Sequence, residues 1–145
     1  MSQNSKNQNY WIKKGFDLDV PSWSEVLDNF NQTVIRNYPV VHFPLGFFHS
    51  RDGHEIEKVK PVLEKLKLVV AHVYFNVSVD ASGFGMHVDG ESVWYWQAQG
   101  TTVWEIDGGP TWELNPGDLV FVGPNVGHRS TALTPRIGIS MSTTK

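Results

Sequence analysis

Hydrophobic and polar residues alternate along a segment in the middle of the chain. From Val69 to Val79 every odd-numbered position is apolar, and most even-numbered positions are polar. Successive side chains of a β-strand point to opposite faces of a sheet, so this period of two predicts a strand with one buried face. We expect the strand to cover residues 69–79.

Shorter apolar stretches follow this segment and are separated by turn-forming residues. Gly, Pro, Asp and Asn occupy the connections, for example at 107–110 and 115–118. Many short strands with such connections indicate a mainly β fold, an antiparallel barrel or sandwich. The predicted strands are residues 92–98, 101–106, 111–114, 119–122, 127–132 and 137–141.

The apolar spacing is helical in the N-terminal part of the chain. Within residues 23–33 apolar side chains recur every three or four positions, Ser22 stands at the N-cap position, and Glu25 follows three residues later. This is the pattern of a capped amphipathic helix. We expect the N-terminal helices to pack on one sheet of the barrel.

Two further elements are predicted in this part. Residues 55–67 have helical spacing that Pro61 interrupts, and Pro61 is expected to start the second piece of that helix. Residues 39–43 are expected to form a short strand.

The chain has 145 residues, of which 40% are hydrophobic and 19% are charged, and this suits one compact domain. Residues 1–9 are too polar to pack and are predicted to be a disordered tail. Residues 10–145 are predicted to form a single domain, in which 10–68 supply the helical cover and first strand and 69–145 the barrel core.

Charge and composition exclude several classes of function. The net charge is −3 and no basic run is present, so a nucleic-acid partner is not expected. The chain has no Cys, which excludes disulfides and thiolate metal sites. No apolar stretch approaches the ~20 residues of a membrane span. We expect a soluble, cytoplasmic protein with no membrane partner.

Three residues are candidates for a metal site. In the sequence His87-Val88-Asp89, strand alternation would place the imidazole and the carboxylate on the same face. His128 follows a turn, an apolar strand and a second turn, and a jelly-roll barrel would bring it beside that pair. Two His and one carboxylate leave coordination positions open, as non-haem Fe(II) oxygenases require. The alternative is two unrelated histidines and a turn Asp.

Several segments around these residues resemble one known family. They are 73–78 (Val-Tyr-Phe-Asn-Val-Ser), 83–89 (Gly-Phe-Gly-Met-His-Val-Asp), 93–100 (Val-Trp-Tyr-Trp-Gln-Ala-Gln-Gly), 103–106 (Val-Trp-Glu-Ile), and 116–128 from the Pro-Gly-Asp turn to the histidine. Together they resemble the core of the JmjC-type cupin oxygenases, and most closely the bacterial ribosomal-protein hydroxylases.

The resemblance implies a double-stranded β-helix, that is, a jelly roll of the cupin and JmjC type. It implies Fe(II) held by His87, Asp89 and His128, with 2-oxoglutarate as co-substrate. The implied reaction is hydroxylation of a C–H bond in a protein or peptide, although a small-molecule substrate stays equally open. A homodimer is compatible with the resemblance.

One position departs from the family pattern. Thr102 stands where the family has a Lys or Arg that pairs with the distal carboxylate of 2-oxoglutarate. From Val69 onward there are three Lys or Arg against seven Asp or Glu, a balance of −4. Arg136 is our candidate anchor, because other branches of 2-oxoglutarate oxygenases place an Arg on the strand after the distal histidine. Arg129 directly follows His128 and is expected to point away from the metal.

The remaining residues of the predicted site are assigned by the faces of their strands. Tyr74, Asn76 and Thr102 are candidate hydrogen-bond donors to the co-substrate. The predicted substrate pocket contains Tyr95, Gln97 and His72. Trp94 and Trp96 are expected in the core under the helices, and no role is assigned to His42, His49 and His54.

Two other functions are compatible with these residues. The first is a metal-dependent cupin dioxygenase or isomerase that does not use 2-oxoglutarate, and the threonine at position 102 favours it. The second is a non-catalytic cupin binding module.

Overall fold

The structure is a computed structural model that describes residues 9–36, 41–43, 46–79 and 85–143, with only the backbone described for 41–43. Within these ranges the chain forms ten β-strands, two α-helices and a short 3₁₀ turn. The strands are β1 (Tyr10–Lys13), β2 (Val41–Phe43), β3 (Phe47–Ser50), β4 (Val70–Asn76), β5 (Val93–Gln99), β6 (Thr102–Ile106), β7 (Thr111–Leu114), β8 (Leu119–Val122), β9 (His128–Ala132) and β10 (Arg136–Ser142). The helices are α1 (Trp23–Ile35) and α2 (Lys60–Leu66), and the 3₁₀ turn is Gly53–Glu55.

The strands form two antiparallel sheets. The larger sheet has the order β1-β8-β5-β10-β4-β3-β2 and the smaller one the order β7-β6-β9. The inner faces pack on each other, because Tyr95 and Val120 of the large sheet share a hydrophobic cluster with Trp104 and Leu114 of the small sheet. This mainly β jelly-roll arrangement confirms the predicted fold class.

The helices cover the outer face of the large sheet. Val26 of α1 and Val62 of α2 belong to the same buried cluster as Trp96 and Ile139 of the central strands. Trp96 is fully buried there and Trp94 packs against the cluster, as the sequence predicted. Because this outer layer is apolar and dry, the polar side chains of the same strands point to the other face, between the sheets.

The first helix agrees with its sequence pattern, and the second is shorter than predicted. Helix α1 has the expected capping box, in which the Ser22 side chain accepts from the backbone of Glu25 and the Glu25 side chain accepts from the backbone of Ser22. It extends two residues beyond the predicted end. The segment 55–67 contains only the seven residues of α2, with Pro61 in its first turn.

The long alternating strand also ends earlier than predicted. Strand β4 stops at Asn76, and Val77 and Val79 are 56% and 47% exposed. Both neighbouring strands end at this level, since Asn76 lies opposite Phe47, the first residue of β3, and opposite Arg136, the first residue of β10. Beyond Asn76 the described residues give one further backbone hydrogen bond, from the Val77 amide to the Gly46 carbonyl at 3.1 Å, and no continued ladder.

Asn9, the last residue of the predicted tail, is hydrogen-bonded to the barrel. Residues 1–8 lie outside the described residues, but the backbone carbonyl of Asn9 accepts a hydrogen bond of 2.7 Å from Gly123. The start of the predicted strand 39–43 also lies outside the described residues, and Val41–Phe43 pairs with β3. No helix in the described ranges is long and apolar enough to cross a membrane.

The close packing of Gly138 against Tyr95 gives a stability prediction. A Cβ atom at Gly138 would overlap the Tyr95 ring and hydroxyl, so Gly138→Ala overpacks the space between the sheets. We expect a loss of about 1–3 kcal/mol in the free energy of unfolding, measured by urea denaturation. Gly90→Ala is the control, because a Cβ there meets nothing within 4 Å. Equal stability of the two variants would contradict the prediction.

Candidate metal centre

The backbone brings two of the candidate ligands side by side. His87 and His128 form an isolated antiparallel bridge, in which each amide donates to the other residue's carbonyl at 3.0 and 2.9 Å. Asp89 is held on the same side, because its carbonyl accepts from the amide of Asn125 at 2.9 Å. His87 is therefore fixed by this single bridge. The alternation of side chains assumes a continuous strand through His87 and Asp89, and the structure, which describes both residues, does not have one there.

Hydrogen bonds set which ring nitrogen of each histidine faces the site. His87 Nδ1 lies 2.7 Å from the carbonyl of Gly85, and His128 Nδ1 lies 3.0 Å from the carbonyl of Val126. A carbonyl only accepts, so Nδ1 carries the proton in the neutral imidazole and the lone pair remains on Nε2. The two Nε2 atoms lie 4.0 and 3.3 Å from the Asp89 carboxylate.

These donor atoms fit a metal cation. One ligand atom from each of the three residues lies within 4.8 Å of the others. Two imidazole lone pairs and a carboxylate that face one another are all acceptors, and a cation between them relieves their repulsion. Two nitrogens and one carboxylate are the donor set that non-haem iron prefers.

The environment of His128 is drier than that of its partners. Its side chain is 5% exposed, against 36% for His87 and 39% for Asp89, and its ring stacks on Trp104 at a centroid distance of 5.3 Å. Burial lowers the pKa of His128, and its hydrogen bond to Val126 partly offsets this. His128 is thus held by the protein interior, while His87 and Asp89 face the opening.

A second cluster of potential ligands, Asp52, His54 and Glu55, is already neutralised by a cation of the protein. Arg36 lies 3.0 Å from the Asp52 carboxylate and 2.7 Å from that of Glu55. The two carboxylates therefore do not require a metal ion.

A cavity of about 420 Å³ opens beside the first cluster, between the two sheets. Besides the three candidate metal ligands, four residues that the sequence assigned to the site line it, namely Arg136, Tyr74, Tyr95 and His72. Its wall also contains residues that the sequence analysis did not single out, among them Phe47, Glu91, Val93, Trp104, Ser130, Ser140 and Ser142. Of these, Ser140 is the residue that strand alternation places on the same face of β10 as Arg136, four positions away, and the structure shows both in the cavity wall.

Three predicted site residues lie behind the cavity wall. Asn76, Gln97 and Thr102 are fully buried and do not line the cavity. Gln97 and Thr102 bond to each other at 3.1 Å, and Asn76 accepts from Arg136. They belong to the buried layer between the sheets and do not reach the cavity surface. Direct contact of these three residues with a ligand is therefore not supported.

Arg136 is a buried cation at one end of the cavity. It is 2% exposed, its Nε donates to Asn76 Oδ1 at 2.7 Å, and its Nη1 donates to the Tyr95 hydroxyl at 3.1 Å. In the part of the chain that the structure describes, no carboxylate lies within the 4.0 Å of an ion pair with it. Of the five N–H groups of an arginine, three have no hydrogen-bond partner among the residues that the structure describes.

The other cation of this region is committed elsewhere. Arg129 donates two hydrogen bonds to Glu105, at 3.0 and 2.8 Å, on an exposed side of the small sheet. Its side chain points away from the metal ligands, as alternation predicted. Lys145 lies outside the described residues, so Arg136 is the cation that the described barrel offers to the cavity.

Stacked rings build the wall that joins Arg136 to the cavity mouth. The Arg136 guanidinium lies 5.6 Å from the Phe47 ring, Phe47 stacks on Tyr74, and Tyr74 stacks on His49 at 4.6 Å. His49 Nε2 then lies 3.1 Å from His72 Nδ1. The prediction that His49 lies in a surface segment was wrong, because β3 pairs with β4 and brings its ring against Tyr74 and His72.

Burial sets the protonation of this wall. Burial, and then the charges of His72 and Arg51, lower the pKa of His49 to about 4. Burial and Arg51 also lower the pKa of His72, against an opposing effect of Glu91. Burial and then Asp89 raise the pKa of the Tyr74 hydroxyl, which keeps it a hydrogen-bond donor.

The low pKa of His49 predicts a loss of stability in acid. Between pH 6.5, its ordinary pKa, and about 4 the unfolded chain binds a proton that the folded protein does not, so stability falls as the pH falls through this range. His49→Phe keeps a ring against Tyr74 and removes this proton uptake. We expect a smaller loss of unfolding free energy from pH 7 to pH 5 in the variant, measured by urea denaturation. An unchanged pH dependence would contradict the prediction.

The convergence of the three ligands predicts a single strong metal site. His128→Ala is expected to weaken Co(II) binding more than 100-fold, since loss of an outer partner alone costs roughly 10–100-fold. Isothermal titration calorimetry measures this, and His87→Ala repeats the test at a more exposed ligand. His54→Ala, in the cluster neutralised by Arg36, is the matched control and should bind Co(II) as the parent does. Unchanged Co(II) affinity in both ligand variants would exclude the site.

Comparison with known proteins gives similarity at the level of the fold. No protein-family model and no curated protein sequence matches the chain. Among solved structures, the ribosomal oxygenase YcfD of Escherichia coli superimposes on the whole chain with a TM-score of 0.70 and 17% identity. A YcfD structure in complex with cobalt and 2-oxoglutarate matches 72% of the chain with a TM-score of 0.59 and 19% identity.

The two YcfD structures are much longer than this chain, which covers 52% of the first and 34% of the second. A smaller neighbour, an RmlC-like cupin from Shewanella frigidimarina, matches 74% of the chain and is itself covered to 85%, with a TM-score of 0.54 and 20% identity. At these identities the matches establish the fold alone. The protein has a jelly-roll fold like that of these structures.

Proposed function

We propose that the protein is a metal-dependent oxygenase that uses 2-oxoglutarate as co-substrate and hydroxylates a C–H bond of a protein, peptide or small molecule. The observation that carries this proposal is the set of residues that line one cavity. A cluster of two histidines and an aspartate lies on its wall, and a buried arginine without an acidic partner among the described residues lies there too. The bound cobalt and 2-oxoglutarate of the structurally similar YcfD are consistent with that pairing.

His87, Asp89 and His128 are the residues that would hold Fe(II). When bound, Fe(II) supplies the oxygen chemistry, in which O₂ and 2-oxoglutarate give succinate and CO₂ and one oxygen atom enters the substrate. The protein contributes the fixed orientation of the ligands. The carbonyls of Gly85 and Val126 hold both imidazoles in the tautomer that leaves Nε2 free.

Arg136 is the proposed receptor for the distal carboxylate of 2-oxoglutarate. A buried carboxylate needs a charged partner, because an unpaired one costs several kcal/mol. The three N–H groups of Arg136 that have no partner among the described residues belong to a planar guanidinium, whose geometry matches a carboxylate. Tyr74, which lines the cavity and keeps its hydroxyl proton, is positioned as a further donor.

The rest of the cavity is available for the substrate. Phe47, Val93 and Trp104 give it apolar walls that limit the access of water. Ser130 and Ser140 supply uncharged polar groups on opposite sheets. The substrate group that enters is therefore expected to be neutral and polar next to an apolar part.

The second candidate is a metal-dependent cupin that does not use 2-oxoglutarate, such as a dioxygenase or an isomerase. Thr102 favours it, because the resembling oxygenases have a basic residue at this position. The similarity to an RmlC-like cupin of comparable length points the same way. A non-catalytic binding module is the third reading, and turnover of 2-oxoglutarate would exclude it.

Turnover of 2-oxoglutarate is the direct test of the proposed function. We expect the Fe(II)-loaded protein to form succinate from 2-oxoglutarate in air, measured by mass spectrometry. Arg136→Met should weaken 2-oxoglutarate binding by at least about 100-fold, since breaking a buried ion pair costs roughly 3–5 kcal/mol, and should leave metal binding intact.

Arg129→Met is the matched control for Arg136→Met, because Arg129 is paired with Glu105 outside the cavity. It should bind 2-oxoglutarate as the parent does. A metal-loaded parent protein that neither binds 2-oxoglutarate nor forms succinate would favour the second candidate. Parent-like 2-oxoglutarate affinity in Arg136→Met would exclude Arg136 as the anchor.

A further inference from the structure

Behind Arg136 a chain of hydrogen bonds runs through the buried layer between the sheets. Arg136 Nη1 donates to the Tyr95 hydroxyl at 3.1 Å, and this hydroxyl donates to Gln97 Oε1 at 2.9 Å. All three side chains are at most 4% exposed. Tyr95 separates Gln97 from the cavity, so Gln97 can affect a ligand only through Tyr95 and Arg136.

The direction of every bond in this chain is fixed by the backbone. Gln97 Nε2 lies 3.1 Å from the carbonyl of Gln99 and 2.9 Å from that of Gly100. Carbonyls only accept, so the amide nitrogen of Gln97 must face them and its oxygen must face Tyr95. The Tyr95 proton is then committed to Gln97, and the Tyr95 oxygen presents a lone pair to Arg136.

A similar arrangement holds the opposite edge of the guanidinium. Asn76 Nδ2 donates to the carbonyl of Ser78 at 2.8 Å, which turns Asn76 Oδ1 toward Arg136 Nε. Two amide groups, each oriented by backbone carbonyls, thus fix the plane of Arg136 from two sides. The N–H groups that remain are those without a partner in the described part of the protein.

We infer that Gln97 is a positioning residue, which acts through Tyr95 to hold Arg136 in the orientation that recognises the distal carboxylate of a 2-oxo diacid. This inference rests on the proposed function. An arginine side chain loses much rotamer freedom when a ligand fixes it, and a prior orientation removes that cost from binding. Gln97 therefore contributes to selection of a diacid over a monoacid without contacting either.

The same arrangement gives Thr102 a role. Its hydroxyl donates to Gln97 Oε1 at 3.1 Å, and this oxygen also accepts the bond from Tyr95. The two donors together fix the orientation of the Gln97 amide. Where the resembling family places a basic residue, this chain has a support for the residue that orients Arg136. In this chain the cation lies on β10, and Thr102 supports it through Gln97 and Tyr95.

The test compares two ligands of the Zn(II)-loaded protein, which binds them without turnover. Pyruvate has the 2-oxo acid group of 2-oxoglutarate and lacks the distal carboxylate, so the ratio of the two affinities reports recognition at the Arg136 end. Isothermal titration calorimetry gives both affinities. We expect Gln97→Met and Tyr95→Phe each to reduce the preference for 2-oxoglutarate about tenfold, with the pyruvate affinity unchanged.

Gln99→Met is the matched control, because it makes the same change on the same strand and loses only a bond to the carbonyl of Pro21. It should keep the parent's preference for 2-oxoglutarate, even where its melting temperature falls as much as that of Gln97→Met. Tyr95→Phe, which changes no volume beyond one oxygen atom, tests the same link if Gln97→Met does not fold.

The outcomes separate this inference from the proposed function. Parent-like preference in Gln97→Met and Tyr95→Phe, with the preference lost in Arg136→Met, would overturn the role of Gln97 and leave the anchor in place. Equal loss of affinity for both ligands would assign Gln97 a general structural role and also overturn it. A parent protein without any preference for 2-oxoglutarate would refute the proposed function itself.

Discussion

The buried charge of Arg136 constrains the whole interior of the barrel. The side chain is 2% exposed and has no acidic partner in the described residues, so every polar atom around it must be arranged to tolerate a cation. Asn76, at the end of β4, and Tyr95, in the middle of β5, each present an oxygen atom that accepts a hydrogen bond from the guanidinium. The large sheet is apolar on its outer face and supports this polar network on its inner face.

Space for that network depends on one small residue. Gly138 leaves room for the Tyr95 ring, which would otherwise overlap a side chain on β10. Tyr95 also contacts Trp104, and Trp104 stacks on His128. Packing between the sheets thus connects the arginine end of the cavity with the buried ligand of the metal end, His128, through aromatic rings.

The metal end is organised by the backbone more than by side chains. The reciprocal amide bonds of His87 and His128 fix two ligands at once, and the carbonyls that accept from their rings belong to residues two positions earlier in each case. Arg136 is held by hydrogen bonds to side chains, whereas the two histidines are held by hydrogen bonds to backbone atoms. Arg136 lies on the large sheet and His128 on the small sheet, so the relative position of the arginine and the metal ligands depends on the packing of the two sheets.

The sequence by itself determined the class of fold, the capped first helix and most strand limits, because these follow from local periodicity and turn chemistry. It also predicted His87, Asp89, His128 and Arg136 as site residues, from the spacing of the His-x-Asp pair and from the resemblance to a known family. Local patterns suffice where the nearest neighbours in the chain set the conformation.

The tertiary structure alone decided depth and orientation. Alternation places Asn76, Gln97 and Thr102 on the inner face, as it does Tyr74 and Tyr95, but only the packing of the second sheet puts the first three behind the cavity wall. The early end of β4 and the place of His49 beside His72 likewise depend on strands from distant parts of the chain. The period of a strand specifies a face, and contacts between sheets specify what that face touches.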